Sequence, residues 1–366
     1  MKTLLEKLYN RALALQPLTI GEALHLYENA PLAELMSVAN RLRQIHVPGN
    51  GVSWQIDRNV NITNVCISGC KFCTFHCEPQ SKSAFTTTDE EYAQKIEELF
   101  AKGGNQLLLQ GGLHPKYGLE FYETLFAQLK QKYPALKLHA LGPPEVAYIA
   151  QLENLSYKKT LERLMAAGLD SLPGAGAEIL ADRVRKMLSP EKPNAQAWLD
   201  VMREAHKLNL PTSATMMFGH VETREERIEH LLKIRDVQSE KPRHAYGFTS
   251  FICWTAQLEN VAQNPIFQDV EKITPQEYIR TVAIARVVLH NVPNVQASWL
   301  TAGKNTAQLC LWAGANDLGS IMIEENVVSS AGGTRHRLSA KEMQDAIREA
   351  GYEPWLRNQR YERVKL

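Results

Sequence analysis

The sequence lacks the features that would place it in a membrane or on nucleic acid. Among its 366 residues, no uninterrupted apolar run approaches the ~20 residues that a membrane-spanning helix needs. It also lacks an excess of either charge, because 41 Lys and Arg residues face 40 Asp and Glu residues, so no extended basic surface is expected. The N-terminal segment is broken by Glu6, Lys7 and Arg11 and lacks the apolar core of a signal peptide. These absences predict a cytoplasmic protein with no nucleic-acid or membrane partner.

The chain also lacks any segment rich in Gly, Pro or Ser that would mark a linker between domains. Its beginning shows the spacing of amphipathic helices, as in Leu35 and Leu42. From residue 52 the pattern changes, and the alternation over residues 52–66 is typical of a strand pair. We therefore predict an N-terminal helical cap over residues 1–50 and a single larger domain over residues 51–366.

Short apolar strand candidates alternate with helical segments along this larger domain. Eight such candidates are NVNITNVC (59–66), NQLLLQGG (105–112), KLHALGPP (137–144), LDSLPGAGAE (169–178), PTSATMMFGH (211–220), AYGFTSFIC (245–253), NVQASWLT (294–301) and DLGSIMIEE (317–325). The alternation predicts an α/β fold with a parallel sheet, and eight units favour a (β/α)8 barrel of the TIM type over an open doubly wound sheet. Polar and glycine clusters follow most of these strands, where barrels build their active sites, so we predict an enzyme.

Cysteine is scarce except in one stretch, because four of the six cysteines lie in NVCISGCKFCTFHCEPQ at residues 64–80. A structural zinc site favours two C-x2–4-C pairs separated by a dozen or more residues, and this stretch leaves too little loop between its cysteines. A bacterial ferredoxin run reads C-x2-C-x2-C-x3-C-P. Here the first gap is three residues, and Glu78 separates Cys77 from Pro79. Both interpretations therefore fit poorly.

The first three cysteines of the stretch, Cys66, Cys70 and Cys73, form the pattern C-x3-C-x2-C with Phe72 before the last one. This pattern resembles the signature of radical S-adenosylmethionine (SAM) enzymes. The resemblance implies a [4Fe–4S] cluster held by three thiolates, with the fourth iron left open for SAM, as a catalytic zinc keeps an open position. Cys77 is then a spare residue near the loop. Pure electron transfer is disfavoured, since such clusters usually have four protein ligands.

Two further segments resemble the SAM-binding parts of this superfamily. Gln110, Gly111 and Gly112 follow the second strand, and the resemblance implies that they meet the SAM amino group, since glycine allows a close approach of the backbone. A simple tight turn is the alternative. Glu178 in GAGAEIL resembles a SAM-contacting glutamate, although a solvated carboxylate at a helix start is nearly as consistent with this residue alone.

From about residue 30 to its end, the chain resembles one family of these enzymes. The resemblance is carried by IDRNVNITNVC, LLLQGGLHP, GLDSLPGAGAEIL, ATMMFGHVET, NVQASWLTAGK, GANDLGS and MIEENVVSSAG. The family is that of the cyclic dehypoxanthine futalosine synthases, radical SAM oxidoreductases of the futalosine route to menaquinone. Aminodeoxyfutalosine synthases and FO synthases share parts of the same motifs and are the alternatives. Two departures, FICWTAQLENV (251–261) and His76 where the family often has Tyr, concern the fine substrate preference.

The family resemblance implies a small-molecule substrate, dehypoxanthine futalosine, and a radical reaction. The 5′-deoxyadenosyl radical takes a hydrogen from C4′ of the sugar, and the carbon radical attacks the benzoate ring of the same molecule. Loss of one electron and one proton then restores aromaticity. The reaction needs a low-potential electron donor such as flavodoxin or ferredoxin. The protein has to exclude water, hold the reacting carbons close together and supply a base.

The two ends of this substrate call for different side chains. Its carboxylate needs a cation, and Arg335 in AGGTRHR, after the eighth strand, is our candidate, with Arg337 beside it. Either arginine is equally consistent with a solvated surface residue. Trp299 and Trp254 are candidates to stack on the benzoate ring, although a core position is the usual one for an aromatic residue on a strand.

Polar residues around the last strand suit the sugar hydroxyls. These are Asn316, Asp317, Glu324 and Glu325. Because neighbours on a strand face opposite sides, at most one of the two glutamates enters the site. We expect Asn316 and Glu324 to bind the substrate and Asp317 to take part in catalysis.

Histidine and carboxylate side chains near the strand ends are the candidates for the base. His220 and Glu222 in FGHVE share one side of the strand if the strand extends that far, and we predict that they act with Asp317 as the catalytic residues. His139 on the third strand is an alternative. A single histidine is more often a hydrogen-bonded structural residue than a catalyst.

Overall fold

The structure, a computed structural model, describes residues 3–332 and 337–364. The helices in these ranges are α1 (Leu4–Leu13), α2 (Ile20–Asn29), α3 (Leu32–His46), α4 (Asp89–Ala101), α5 (Leu119–Lys132), α6 (Pro143–Leu152), α7 (Tyr157–Ala167), α8 (Asp182–Leu188), α9 (Ala195–Lys207), α10 (Arg224–Glu240), α11 (Pro275–Val288), α12 (Trp299–Ala302), α13 (Lys304–Leu311), α14 (Val327–Ser330) and α15 (Ala340–Glu349). The strands are β1 (Gly51–Gln55), β2 (Asp57–Asn61), β3 (Gln106–Gln110), β4 (Lys137–Ala140), β5 (Leu169–Ser171), β6 (Thr212–Phe218), β7 (Phe248–Thr255), β8 (Asn294–Ala297), β9 (Asp317–Ser320) and β10 (Glu353–Leu356). No helix in the described ranges combines the length and apolar character needed to cross a bilayer.

The strands form a ring of parallel neighbours. One run has the order β2-β3-β4-β5 and the other the order β10-β1-β9-β8-β7-β6. Backbone hydrogen bonds from Leu172 to Pro211 (2.9 Å) and from Ser213 to Leu172 (3.3 Å) join β5 to β6. At the other junction, the segment 51–61 pairs with β9 through its first half and with β3 through its second half. The predicted (β/α)8 barrel is thereby confirmed, with β10 as an additional strand beside β1.

The prediction of a strand pair within residues 52–66 is wrong. Only Ile56 separates β1 from β2, and the two pieces run on in the same direction without pairing with each other. A hairpin connection usually needs at least two residues to reverse the chain. The alternation in this segment therefore belongs to one interrupted barrel strand.

The first three helices lie against the outer layer of barrel helices. Helix α2 packs on α10, and α3 packs on α11. The Tyr27 hydroxyl of α2 accepts a hydrogen bond from Arg227 (2.7 Å) and donates one to Glu277 (2.8 Å). Leucine and valine side chains of α3 share the hydrophobic core that surrounds the barrel. The division of the chain at residue 50 stays a prediction.

Candidate active site

Two adjoining cavities lie along the barrel, one where its strands end and one in its interior that reaches Asp57 at the start of β2. The first, of about 200 Å³, is lined by the cysteine loop, and we call it the cysteine cavity. The second, of about 310 Å³, lies inside the ring of strands, and we call it the barrel cavity. Gln110, at the end of β3, and Val327 line both. A ligand that fills either cavity therefore contacts these two shared residues.

Three of the four clustered cysteines line the cysteine cavity, and they are Cys66, Cys70 and Cys73. Cys77 contributes its backbone to the loop instead. Its N–H donates to the Asn64 carbonyl (2.9 Å), and its own carbonyl accepts from the Cys66 N–H (3.1 Å). The arrangement brings together the three residues predicted as ligands and leaves the fourth cysteine outside the cavity lining.

The surroundings of the three sulfur atoms differ. The Cys66 Sγ accepts backbone N–H groups of Leu113 (3.3 Å) and Ser68 (3.4 Å). Burial raises the pKa of the Cys70 thiol, and the charge of Lys192 opposes this. Burial alone would raise the pKa of the Cys73 thiol too, but hydrogen bonding to His76 and to nearby backbone N–H groups outweighs it and the pKa is lowered. Donors directed at sulfur favour the thiolate, which is the form that binds iron.

Within the described ranges, no three or more His, Cys, Asp or Glu side chains are grouped so that they could hold a single metal ion. A [4Fe–4S] cluster makes a different demand, because each thiolate ligates a different iron. The donor set suits such a cluster, since three cysteines border one cavity and each of them lies near hydrogen-bond donors or a cation.

The predicted QGG segment lies directly against the cysteine loop. A Cβ on Gly112 would lie 2.1 Å from the Val65 carbonyl oxygen and 2.7 Å from the Cys66 Cβ. The Gly112 N–H also donates to the Thr63 carbonyl (2.9 Å). Only glycine permits this approach of the β3 end to the chain that carries the first cysteine.

Lys192 is a largely enclosed cation of the cysteine cavity, its side chain 14% exposed, and no sequence motif indicated it. Its Nζ lies 2.6 Å from Glu178 Oε1 and 5.6 Å from the centroid of the Phe72 ring. Burial would raise the pKa of Glu178, but the charge and hydrogen bond of Lys192 outweigh it, and the pKa is lowered. Glu178 does not itself line the cavity; Lys192 connects it to the cavity. No local pattern marks this lysine, because it lies in the irregular segment SPEKPN.

The barrel cavity is lined by alternate residues of the strands. Gln55, Asp57 and Asn59 come from the first strand, and Trp254 comes from β7. This spacing of two places their side chains on the inner face of the barrel. Trp299 also lines the cavity, and its indole N–H donates to the Ser320 carbonyl (2.9 Å). Both tryptophans predicted to stack on the substrate ring are therefore at the cavity wall.

Asp317 does not line either cavity; it holds an arginine that does. The guanidinium of Arg357 donates to both of its carboxylate oxygens, at 2.5 and 3.1 Å, and Ser53 and the Gly319 N–H supply further hydrogen bonds. Asp317 is fully buried in this arrangement. Asp317 therefore reaches the barrel cavity only through Arg357, which borders it directly. This position does not support the predicted catalytic role of Asp317.

The other substrate-binding predictions near the last strand also lie elsewhere. Asn316 is buried and accepts from Arg286 (2.7 Å) and from the Val295 N–H (3.0 Å), away from both cavities. Glu324 faces outward and pairs with Lys95 and Arg58. Its neighbour, Glu325, lines the barrel cavity instead. One glutamate of the two thus enters the site, but it is not the expected one, because β9 ends at Ser320 and the strand alternation does not extend to this pair.

His220 and Glu222 contact each other in the turn after β6, which ends at Phe218, and the structure brings neither of them to a cavity near the cysteines. The His220 Nδ1 lies 2.8 Å from Glu222, and its Nε2 lies 2.9 Å from the Met217 carbonyl oxygen. Glu222 also pairs with Arg227 at 2.7 Å. These contacts tie the end of β6 to α10. Arg335 lies outside the described residues.

A third cavity, of about 250 Å³, lies at the opposite mouth of the barrel and is lined by the C-terminal segment after β10. It borders Gln55 and Arg357 from the other side. Because barrels build their active sites at the C-terminal strand ends, the two cavities near the cysteines are the better candidates.

Two parts of the chain match known families. Residues 60–234 match the Radical SAM superfamily, and residues 245–366 match the CofH/MqnC C-terminal region. A cyclic dehypoxanthine futalosine synthase of Streptomyces coelicolor is 44% identical over 98% of this chain and 89% of its own length. One of Halalkalibacterium halodurans is 37% identical over 99% and 95%. A 5-amino-6-(D-ribitylamino)uracil–L-tyrosine 4-hydroxyphenyl transferase of Methanosarcina barkeri is 39% identical over 95% and 89%.

A solved structure has the same fold. Methylornithine synthase superposes with a TM-score of 0.71, covering 96% of this chain and 98% of its own, at 18% sequence identity. At that identity the likeness concerns the barrel and its connections.

Proposed function

The chain belongs to the radical SAM superfamily, in the family that carries the CofH/MqnC C-terminal region, and we propose from this that it is a cyclic dehypoxanthine futalosine synthase. It is a radical SAM cyclase of the futalosine route to menaquinone, and it uses a [4Fe–4S] cluster and SAM. The observation that carries this function is the 44% identity to a synthase of that name along nearly the whole chain. The contact between the two cavities supports it, because the reaction needs a radical source directly beside the substrate.

The residues of the cysteine cavity fit the cofactors. Cys66, Cys70 and Cys73 would hold three irons, and the glycines after Gln110 let the end of β3 pack directly against the chain that carries Cys66. The buried ammonium of Lys192 suits a carboxylate such as that of SAM. When bound, the cluster and SAM supply the 5′-deoxyadenosyl radical that abstracts hydrogen from the substrate.

The barrel cavity fits the substrate. Trp254 and Trp299 offer flat apolar surface for an aromatic ring, while Gln55, Asn59 and Gln296 offer hydrogen bonds to hydroxyl groups. The strands of the barrel surround this cavity, which limits the access of water to a radical intermediate.

An electron donor would approach at the cysteine loop. Ile67 and Lys71, which lie between the cluster cysteines in sequence, are exposed on the protein surface. A low-potential carrier of the flavodoxin or ferredoxin class that docks here would lie close to the cluster, separated from it only by the cysteine loop.

The test is an anaerobic assay of the reconstituted enzyme with SAM, a reductant and dehypoxanthine futalosine. We expect free 5′-deoxyadenosine together with a product two hydrogens lighter than the substrate. If 5′-deoxyadenosine does not rise above the substrate-free control, the substrate is wrong. The enolpyruvyl ether used by aminodeoxyfutalosine synthases, and then L-tyrosine with 5-amino-6-(D-ribitylamino)uracil, are the next compounds to supply.

The ion pair between Lys192 and Glu178 leads to a stability prediction. In Lys192→Met, the buried carboxylate loses its partner, and breaking a buried pair costs about 3–5 kcal/mol. We expect chemical denaturation to show a lower free energy of unfolding by this amount, and calorimetry to show weaker SAM binding. The matched control is Lys159→Met, whose exposed pair with Glu162 at 3.6 Å is expected to contribute at most about 1 kcal/mol. Equal effects of the two substitutions would contradict the role given to Lys192.

A further inference from the structure

The proposed reaction releases a proton inside the barrel, and this inference rests on that reaction. Bond formation between the sugar carbon and the benzoate ring leaves a ring carbon that still carries its hydrogen. Aromaticity returns when that C–H bond breaks, one electron goes to a one-electron acceptor of the iron–sulfur class, and the proton goes to a base. The base has to border the cavity that holds the substrate ring.

Among the described residues, four ionisable side chains border the barrel cavity, and they are Asp57, His139, Glu325 and Arg357. Arg357 is a permanent cation, paired with Asp317, and it accepts no proton. Burial and the charge of Arg357 lower the pKa of His139 to about 3, and its ring is hydrogen-bonded to Ser171 at 2.8 Å. At neutral pH that imidazole does not take up a proton.

Glu325 is committed to the backbone. One of its oxygens accepts the N–H groups of Val327 (2.8 Å) and Val328 (2.7 Å), and the other accepts the Ser329 N–H (2.8 Å). The Ser329 hydroxyl adds a further hydrogen bond at 3.1 Å. Both oxygens of this carboxylate are therefore already occupied by hydrogen-bond donors of its own loop. Its function in the structure is to hold the start of α14.

Asp57 has the opposite environment. It is the first residue of β2, it is buried, and it borders the cavity two residues from Gln55 and from Asn59 on the same face. Burial raises the pKa of Asp57, and hydrogen bonds from Ser320 and Gln106 and the charge of Arg357 offset this only in part. Among the described residues, Asp57 is therefore the carboxylate at the cavity wall whose environment favours taking up a proton.

We propose that Asp57 is a catalytic residue that accepts the proton released when the benzoate ring regains aromaticity. Arg357 keeps its bidentate contact with Asp317 whether or not Asp57 is charged, so replacing Asp57 by its amide does not unpair the buried arginine. The Asp57→Asn substitution therefore removes a base but leaves the ion pair between Arg357 and Asp317 in place.

The test is Asp57→Asn, assayed anaerobically beside the wild-type enzyme with SAM, a reductant and dehypoxanthine futalosine. Product and 5′-deoxyadenosine are both quantified. We expect the variant to form cyclised product about 10²-fold more slowly, while hydrogen abstraction continues, so that 5′-deoxyadenosine exceeds product by at least about tenfold. Asp57→Glu, which keeps a carboxylate, is expected to recover part of the product yield. Asp236→Asn, the same change on an exposed surface residue, is the matched control and is expected to behave as the wild type.

Three results would overturn the proposal. The first is an unchanged ratio of 5′-deoxyadenosine to product in Asp57→Asn. The second is an equal fall in both compounds with weaker substrate binding, which would make Asp57 a binding group. If Asp57→Asn does not fold, Asp57→Glu is compared with Asp57→Gln instead. The third result is then an equal ratio of 5′-deoxyadenosine to product in these two variants. Absence of cyclised product from the wild-type enzyme would instead refute the proposed function itself, and it is seen without any variant.

Discussion

Replacement of Cys70 by alanine is expected to abolish both the cluster and all SAM cleavage, whereas replacement of Cys77 by alanine is expected to leave both in place. Cys70 is buried at the wall of the cysteine cavity, and its loss removes one of three thiolates. Cys77 holds the loop through its backbone N–H and carbonyl, which alanine retains. The two substitutions are chemically identical and seven residues apart in sequence, so each is the control for the other.

The measurement is iron and sulfide content after anaerobic reconstitution, with the electron paramagnetic resonance signal of the reduced cluster and the yield of 5′-deoxyadenosine. We expect Cys70→Ala to bind no intact [4Fe–4S] cluster. A Cys77→Ala protein that lost its cluster would contradict the assignment of three ligands, and so would a Cys70→Ala protein that kept a redox-active one.

Replacement of Gly112 by alanine is expected to have the next largest effect. The new methyl group would lie 2.1 Å from the Val65 carbonyl oxygen and 2.6 Å from the Val65 carbonyl carbon. Neither contact is possible, so the backbone next to Cys66 has to move. A displacement of about 1 Å at a reacting centre costs about 10²-fold in rate, and we expect a loss of at least this size in SAM cleavage.

Calorimetric SAM binding and single-turnover formation of 5′-deoxyadenosine measure this effect. The control is Gly21→Ala on α2, where a Cβ would meet nothing within 4 Å. That substitution is expected to leave cleavage unchanged. Normal cleavage in Gly112→Ala would show that the end of β3 does not approach the cofactor.

Features that depend on neighbouring residues were predictable from the sequence. The eight strand candidates each overlap a strand of the barrel, because an apolar segment bounded by turn residues has few other ways to be buried in an α/β protein. The spacing of Cys66, Cys70 and Cys73 indicated a shared ligand, and the loop does place them around one cavity. Gln110 and the two following glycines were likewise identified from their position after a strand.

Features that depend on distant residues were not predictable. His220 and Glu222 lie beyond the end of β6 at Phe218, and their contact follows from Arg227 and the packing of α10, which strand alternation does not describe. The sequence does not show that Glu324 pairs with Lys95 of α4, a contact that leaves Glu325 as the glutamate of the pair at the barrel cavity. Asp57 was overlooked because nothing near it in sequence distinguishes it from any other charged residue beside a strand.

The sequence by itself therefore determined the barrel, the grouping of three cysteines and the family, since strand periodicity, cysteine spacing and motif order are all local properties of the chain. The tertiary structure alone decided which charged groups border the cavities. That choice depends on the closure of the barrel. Closure places residues 51–61 between β3 and β9 and brings Arg357 and Asp57 to the wall of the same cavity. It also depends on the burial of charge, which is tolerated where a partner such as Glu178 or Asp317 is supplied from another part of the chain.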